Sequence, residues 1–302
     1  MYLNLCPETI GFTSMALERR IALAKGHGFG GVDLPLNEIP DEAAAEKVAE
    51  QLSAAGLRPG LFWLPADFLS EDAAAWDRGI EQLKAIAPRV QQAGGKRTYC
   101  HIWPGSNVRE YADNLAWHVV RLRPMVEILA EHGIQMGIEF IGTKSLRDAC
   151  RYPFVYSLPQ CVELADAIHP ATGIVLDTFH WYNSGGTLEQ IRACLTGARV
   201  VNLHLNDARP DRTRDEQKDD ERALPMAYGV IDTPGIVRTL REMGYEGPMI
   251  VEPFMPEWKR LAELGPEGAV AEAGDCLRRV LAASQNHDGN PSSQIASKPV
   301  PF

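Results

Sequence analysis

Eight short apolar runs recur along the chain at fairly even spacing, and this rhythm restricts the available folds more than any other feature. They read YLNLC, GGVDLPL, RPGLFWLP, RTYCHIW, QMGIEFIG, TGIVLDTFH, RVVNLHLND and PMIVEPF. Most are continuously apolar rather than alternating, the pattern of parallel strands buried on both faces. Helical patterns lie between them. One starts at Ser14, a residue suited to an N-cap, and stops at Gly28. A second runs from Asp41 to Gly56, a third stops at Gly133, and a fourth stops at Gly244 or Gly247. Cap residues at the starts and glycines at the stops are the expected helix punctuation.

Eight strand–helix units in about 250 residues have the size and order of a (β/α)8 TIM barrel, an α/β fold. A doubly wound open sheet would show fewer units and a glycine-rich phosphate loop after its first strand. No G-x-G-x-x-G follows YLNLC. The reading is therefore one barrel domain over residues 1–283 and a polar, Pro/Ser-rich tail over 284–302, expected to be flexible. A 45% hydrophobic content is ample for that core, and the net charge of -10 disfavours a phosphate backbone as partner. No run is apolar enough to cross a bilayer, and the N-terminus has no signal-peptide pattern. The six cysteines form no C-x-x-C pair, which fits buried thiols in a reducing cytoplasm.

In such a barrel the chemistry sits at the C-terminal ends of the strands. Strand five ends in Glu139, strand six in Asp177, strand seven in His204 and Asp207, and strand eight in Glu252; strand four offers His101. Any one of these has an ordinary structural explanation: a helix cap for Asp177, a core histidine for His204. Ligand-type residues on four successive strand ends are a different matter. Carboxylates crowded at one mouth repel one another unless a cation neutralises them. A mixed oxygen and nitrogen donor set without thiolate suits one divalent ion, Mn²⁺, Mg²⁺, Co²⁺ or Zn²⁺.

The segments GIEF, LDTFHWYNSG, NLHLND and VEPF, in that order, resemble the xylose isomerase-like TIM-barrel superfamily. That group includes sugar phosphate isomerases and epimerases, ketose 3-epimerases, inosose dehydratases and relatives of the AP-endonucleases. The resemblance implies that Glu139, Asp177, His204 and Glu252 hold one divalent metal. It implies that His180, three residues past Asp177, hydrogen-bonds a substrate oxygen. It gives Arg222, in RALPMAYG, the role of the arginine that follows the strand-seven histidine, with Arg209 in reserve. His101 and Trp103 of HIWPGS and Trp181 beside His180 are expected to face the substrate, although Trp181 equally suits packing under the loop. The charged stretch RPDRTRDEQKDDE reads as an insertion: a solvated loop, a lid or an oligomer contact. Where ketose 3-epimerases carry a further acid, this chain has Ser145, which argues against that exact specificity. Lys144 and Arg147 nearby are the candidates for meeting an anionic substrate.

The chemistry so implied is metal-stabilised enediolate formation from an α-hydroxyketone, with Glu139 and Glu252 as the acid–base pair. Its outcome is isomerisation or epimerisation of a sugar or keto-polyol. Loss of a β leaving group from the same intermediate gives the alternative, a lyase or dehydratase acting on an inosose or a 3-keto glycoside. AP-endonuclease-like phosphodiester hydrolysis is the weakest option, because it needs more histidines than strands three and seven supply. The expected partner is a small sugar or polyol, with no nucleic acid and no membrane. A homo-oligomer is compatible with all of this.

Overall fold

The structure, a computed structural model, describes residues 1–285 except Ala66 and Leu69. The sheet is parallel and runs in one direction around a ring. Strand one is Tyr2–Leu5, strand two Gly31–Val32, strand four Arg97–Ile102, strand five Gln135–Phe140, strand six Gly173–Asp177, strand seven Val200–Leu205 and strand eight Pro248–Val251. Strand three comes in two pieces, Arg58–Pro59 and Leu61–Trp63. The first piece pairs with strand two and the second with strand four, so the two ends of the sheet are joined through Gly60 and the barrel closes. A side chain at position 60 would collide with Asp33, its Cβ falling 2.2 Å from Oδ1.

Strand two is short, but its backbone goes on bonding past Val32: the Asp33 amide donates to the Leu5 carbonyl at 3.0 Å and the Leu34 amide to the Leu61 carbonyl at 2.8 Å, before Pro35, which has no N–H to give. Side chains add to this fastening: Asp33 Oδ1 accepts from Asn4 Nδ2 at 2.6 Å and from the Leu61 amide at 2.7 Å.

One outer helix follows each strand: Leu17–Gly26, Glu42–Ala55, Ala73–Gln92, Tyr111–Glu131, Leu158–Ile168, Leu188–Cys194, Thr233–Glu242 and Gly265–Gln285. The second shows why such segments are helical. Asp41 caps the Ala44 amide, Gly56 ends the helix at φ +69°, and Ala45, Val48 and Leu52 form its buried stripe. Ser14 is not a cap. The first helix begins at Leu17, whose amide is taken by Glu38 Oε1 at 2.8 Å. The last helix extends to Gln285, past the expected start of the tail at 284; the rest of that tail lies outside the described residues.

The barrel floor is plugged by Leu61, Tyr99, Val175 and Val201. Gly173 makes this packing feasible, since a Cβ there would lie 2.3 Å from Val201 Cγ2. Above the plug the interior becomes polar. Three short helices, Lys144–Asp148, Thr178–Asn183 and Glu257–Glu263, lie after the ends of strands five, six and eight. Among the described residues no helix is long and apolar enough to cross a membrane, and the six cysteines are unpaired.

Candidate metal centre and active site

Strand register assembles the site. Strand six places Asp177 beside His204 of strand seven, and strand four places His101 beside Glu139 of strand five. Glu252 follows strand eight directly, its amide bonded to the Leu205 carbonyl at 2.9 Å. Glu139, Asp177, His204 and Glu252 each offer one ligand atom, and these atoms lie within 4.8 Å of one another. All four side chains are buried.

Buried polar groups normally have partners. Here both oxygens of Glu139 and both ring nitrogens of His204 are buried without a hydrogen bond. His204 Nδ1 lies 3.3 Å from Glu139 Oε1 and 3.3 Å from Glu252 Oε1, close but without hydrogen-bond alignment. Orphaned lone pairs converging with two further carboxylates are what a divalent ion needs, so this donor set fits one.

The electrostatics reflect the same crowding. Burial, partly offset by Arg222, pushes the Asp177 carboxyl well above the usual range, and Glu252 and Glu139 add to the rise. Burial acts upward on Glu139 and Glu252 too, but His204 outweighs it and holds both below the ordinary glutamate range. Burial lowers His204, yet Glu139 and Glu252 more than reverse this and hold its imidazole well above normal.

Asp177 performs two tasks. Its Oδ1 caps the Thr178–Asn183 helix by accepting the His180 amide at 2.8 Å. Its Oδ2 faces the cluster and accepts from Asn206 Nδ2 at 2.8 Å and Arg222 Nη1 at 3.2 Å. His180 is carried into the site by that capped helix, which approaches strand five so closely that a Cβ on Gly142 would lie 2.0 Å from the His180 carbonyl oxygen.

Arg222 reaches further in than its expected role as a substrate contact. Nη1 donates to Glu252 Oε2 at 2.8 Å as well as to Asp177, and Nη2 donates to Asp219 Oδ1 at 2.9 Å. Nη2 also lies 3.2 Å from His180 Nε2. A guanidinium can only donate, so His180 Nε2 accepts and the ring proton sits on Nδ1. That Nδ1 is buried without a partner. Burial and the Arg222 charge lower the His180 pKa to about 4, so the ring is neutral.

The other expected substrate residues separate. His101 Nε2 lies 3.4 Å from Glu139 Oε2, with the side chain 42% exposed, at the edge of the cluster. Trp103 stands 44% exposed beyond strand four. Trp181 joins the hydrophobic core, 7% exposed, because Gly186 leaves room for its indole: a Cβ there would fall 2.4 Å from the ring. Lys144 is paired with Asp148, and the Arg147 guanidinium lies 4.0 Å from the centre of the Tyr156 ring. Arg209 turns outward, pairing with Asp211 and lying 5.6 Å from the Tyr228 ring centre.

Asn206, Thr143 and Asp219 were not anticipated. Asn206 is fully buried, takes the Thr178 hydroxyl on Oδ1 at 2.7 Å and donates to Asp177. Its signal was present: strand alternation puts Asn202, His204 and Asn206 on one side of that run, opposite Val201, Leu203 and Leu205. Asp219 belongs to the charged insertion, and no local pattern marks it.

A family profile described as a xylose isomerase-like TIM barrel matches residues 21–280. The chain belongs to the xylose isomerase-like TIM-barrel family. Among curated proteins it is 28% identical to an inosose isomerase of Halalkalibacterium halodurans over 53% of this chain and 52% of that one. It is 26% identical to the inosose isomerase of Bacillus velezensis over 81% of this chain and 86% of that one. It is 27% identical to the 3-dehydroshikimate dehydratase of Pseudomonas putida over 82% of this chain but 37% of that protein. In the Halalkalibacterium relative, as in that of Bacillus subtilis, the match spans about half of the relative's length. Among solved structures, a xylose isomerase domain protein from Alicyclobacillus acidocaldarius superposes with a TM-score of 0.79 at 24% identity, covering 94% of this chain and 99% of that one. An IOLI protein crystallised with a zinc atom superposes with a TM-score of 0.74 at 20% identity, covering 94% and 98%. At these identities the superpositions speak for the fold.

Proposed function

We propose that the protein is a divalent-metal-dependent isomerase or epimerase of a sugar or keto-polyol, working by proton abstraction next to a carbonyl. The observation that carries this reading is the set of orphaned donors on Glu139 and His204, converging with Asp177 and Glu252 within 4.8 Å. These four residues would hold the ion. When bound, it supplies Lewis-acid polarisation of an α-hydroxyketone and so acidifies the C–H between the two oxygens.

The chain's own groups do the rest. Glu139 on strand five and Glu252 just past the end of strand eight lie on either side of His204. Kept as carboxylates, one removes the proton and the other returns it. Return to the opposite face of the same carbon gives an epimer; return to the neighbouring carbon gives the aldose–ketose isomer. His180 offers its free Nδ1–H to a substrate oxygen, with its tautomer fixed by Arg222. His101, 3.4 Å from Glu139 Oε2 at the edge of the cluster, would contact the substrate there.

A second reading is a lyase, in which a leaving group β to the carbanion departs before the proton returns. The dehydratase relative, aligned over 82% of this chain, favours keeping it. Both readings share the first step. Incubation with inososes and keto sugars in D₂O should place deuterium at the carbon next to the carbonyl. Intact, interconverted carbon skeletons support the isomerase or epimerase; loss of water supports the lyase. Quantitative transfer of the original hydrogen to the adjacent carbon, with none from solvent, would overturn proton abstraction.

A further inference from the structure

The charged insertion forms a tethered lid beside His180, although most of its side chains remain exposed. Its neck is closed by paired backbone bonds between Asp207 and Ala223, at 2.9 and 3.0 Å. Gln217, fully buried, ties it internally: Nε2 donates to the Arg209 carbonyl at 2.8 Å and Oε1 accepts the Arg209 amide at 3.0 Å. Its far end is fastened to the loop after strand eight, where the Asp220 carbonyl accepts the Met255 amide at 3.0 Å. Arg214 lies 5.0 Å from the Tyr182 ring centre, on the helix that carries His180.

This lid brings one carboxylate, Asp219, to the mouth. Its Oδ1 takes the Thr143 hydroxyl at 3.0 Å and Arg222 Nη2 at 2.9 Å, and lies 3.7 Å from His180 Nδ1. Among the described residues every bond of this side chain goes to Oδ1. Oδ2 has none, and the side chain keeps 28% exposure. The open Oδ2 of a carboxylate whose Oδ1 lies 3.7 Å from the unpartnered His180 Nδ1 sets an acceptor near a donor, the complement of a hydroxyl group.

The charge at the mouth points the same way. Arg222 is already shared among Asp177, Glu252 and Asp219. Lys144 is paired with Asp148. With Arg222 and Lys144 paired to carboxylates, an anionic substrate approaching the open side of Asp219 would meet unfavourable like charge.

We propose that Asp219, held by the lid, is a substrate-binding residue that accepts a hydroxyl and selects uncharged polyhydroxy ketones over phosphorylated or carboxylated ones. This rests on the keto-polyol reading of the site above. The test uses the full chain loaded with Mn²⁺ and measures binding by calorimetry. Uncharged ketoses and inososes are each paired with a phosphorylated or carboxylated counterpart, such as D-fructose with D-fructose 6-phosphate.

The native protein should favour the uncharged member of a pair. Asp219→Ala should weaken that binding by roughly tenfold or more, the usual cost of losing a hydrogen bond to a charged group. It should also narrow the discrimination against the anion. Asp219→Glu should restore part of both effects, which a purely structural role would not require. Stronger binding of the anionic partners by the native protein would overturn the proposal, as would an Asp219→Ala variant with unchanged preference. Deuterium exchange, read separately, reports on the reaction itself: selective binding without exchange would sink the enzymatic reading and leave the role of Asp219 standing.

Discussion

Arg222 Nη1 donates to Glu252 Oε2 at 2.8 Å, joining the lid to the end of strand eight through two buried side chains. The same nitrogen reaches Asp177, so one guanidinium serves two of the four expected ligands. Removing one partner of a buried ion pair typically costs about 3–5 kcal/mol, because the other charge is left uncompensated. Arg222→Ala should therefore lower the thermal midpoint of the metal-free protein markedly and that of the Mn²⁺-loaded protein much less, since the ion then supplies the missing positive charge. The variant should still bind the ion but lose turnover. Equal destabilisation with and without Mn²⁺ would separate Arg222 from the ligand cluster.

His204→Ala should weaken binding of the divalent ion by more than about a hundredfold, exceeding the 10–100-fold effect typical of outer partners. Metal content after dialysis, alongside calorimetric titration, checks this. Because Glu139 and Glu252 hold the His204 proton tightly, native binding should release protons and weaken as the pH falls. Unchanged metal content in the variant would remove His204 from the ligand set.

Asp207 closes the lid neck and also organises the loop that follows. Its two oxygens accept the amides of Tyr228, Gly229, Val230 and Ile231 at 2.7 to 3.1 Å. Asp207→Ala strands those amides, and several lost charge-assisted bonds amount to roughly 3 kcal/mol or more. Limited proteolysis should then cut within 208–231 under conditions where the native chain resists. Equal resistance would show that the loop is held by other contacts.

His118 predicts an acid sensitivity away from the site. It is buried, its Nδ1 lies 2.7 Å from the Asn114 carbonyl oxygen, and its ring stacks on Phe154 at 4.8 Å. Burial lowers its pKa to about 4. The unfolded chain takes up this proton near pH 6.5 and the folded chain only near 4, so the contribution is complete above pH 6.5 and lost as the pH falls toward 4. By pH 5 the loss is roughly 2 kcal/mol. Urea midpoints at pH 7 and pH 5 should differ less for His118→Phe than for the native chain; an identical difference would exclude this histidine as a cause.

The sequence by itself determined the barrel and the identity of its polar strand ends. Both are local facts: an apolar run reads as a strand wherever it lies, and Glu139, Asp177, His204 and Glu252 each fall where such a run stops. Parallel order around a closed ring then carries them to one mouth, as the register between Asp177 and His204 shows. What only the tertiary structure decided depends on contacts between distant segments. Ser14 loses the first helix cap to Glu38, which arrives from beyond strand two. Trp181 goes into the core because Gly186 opens space for it. Asp219 looks like any residue of a charged loop until the Asp207–Ala223 neck and buried Gln217 fold that loop back onto His180 and Arg222. Charge and polarity can be read from the chain; which charge faces which depends on the closed barrel and the path of its loops.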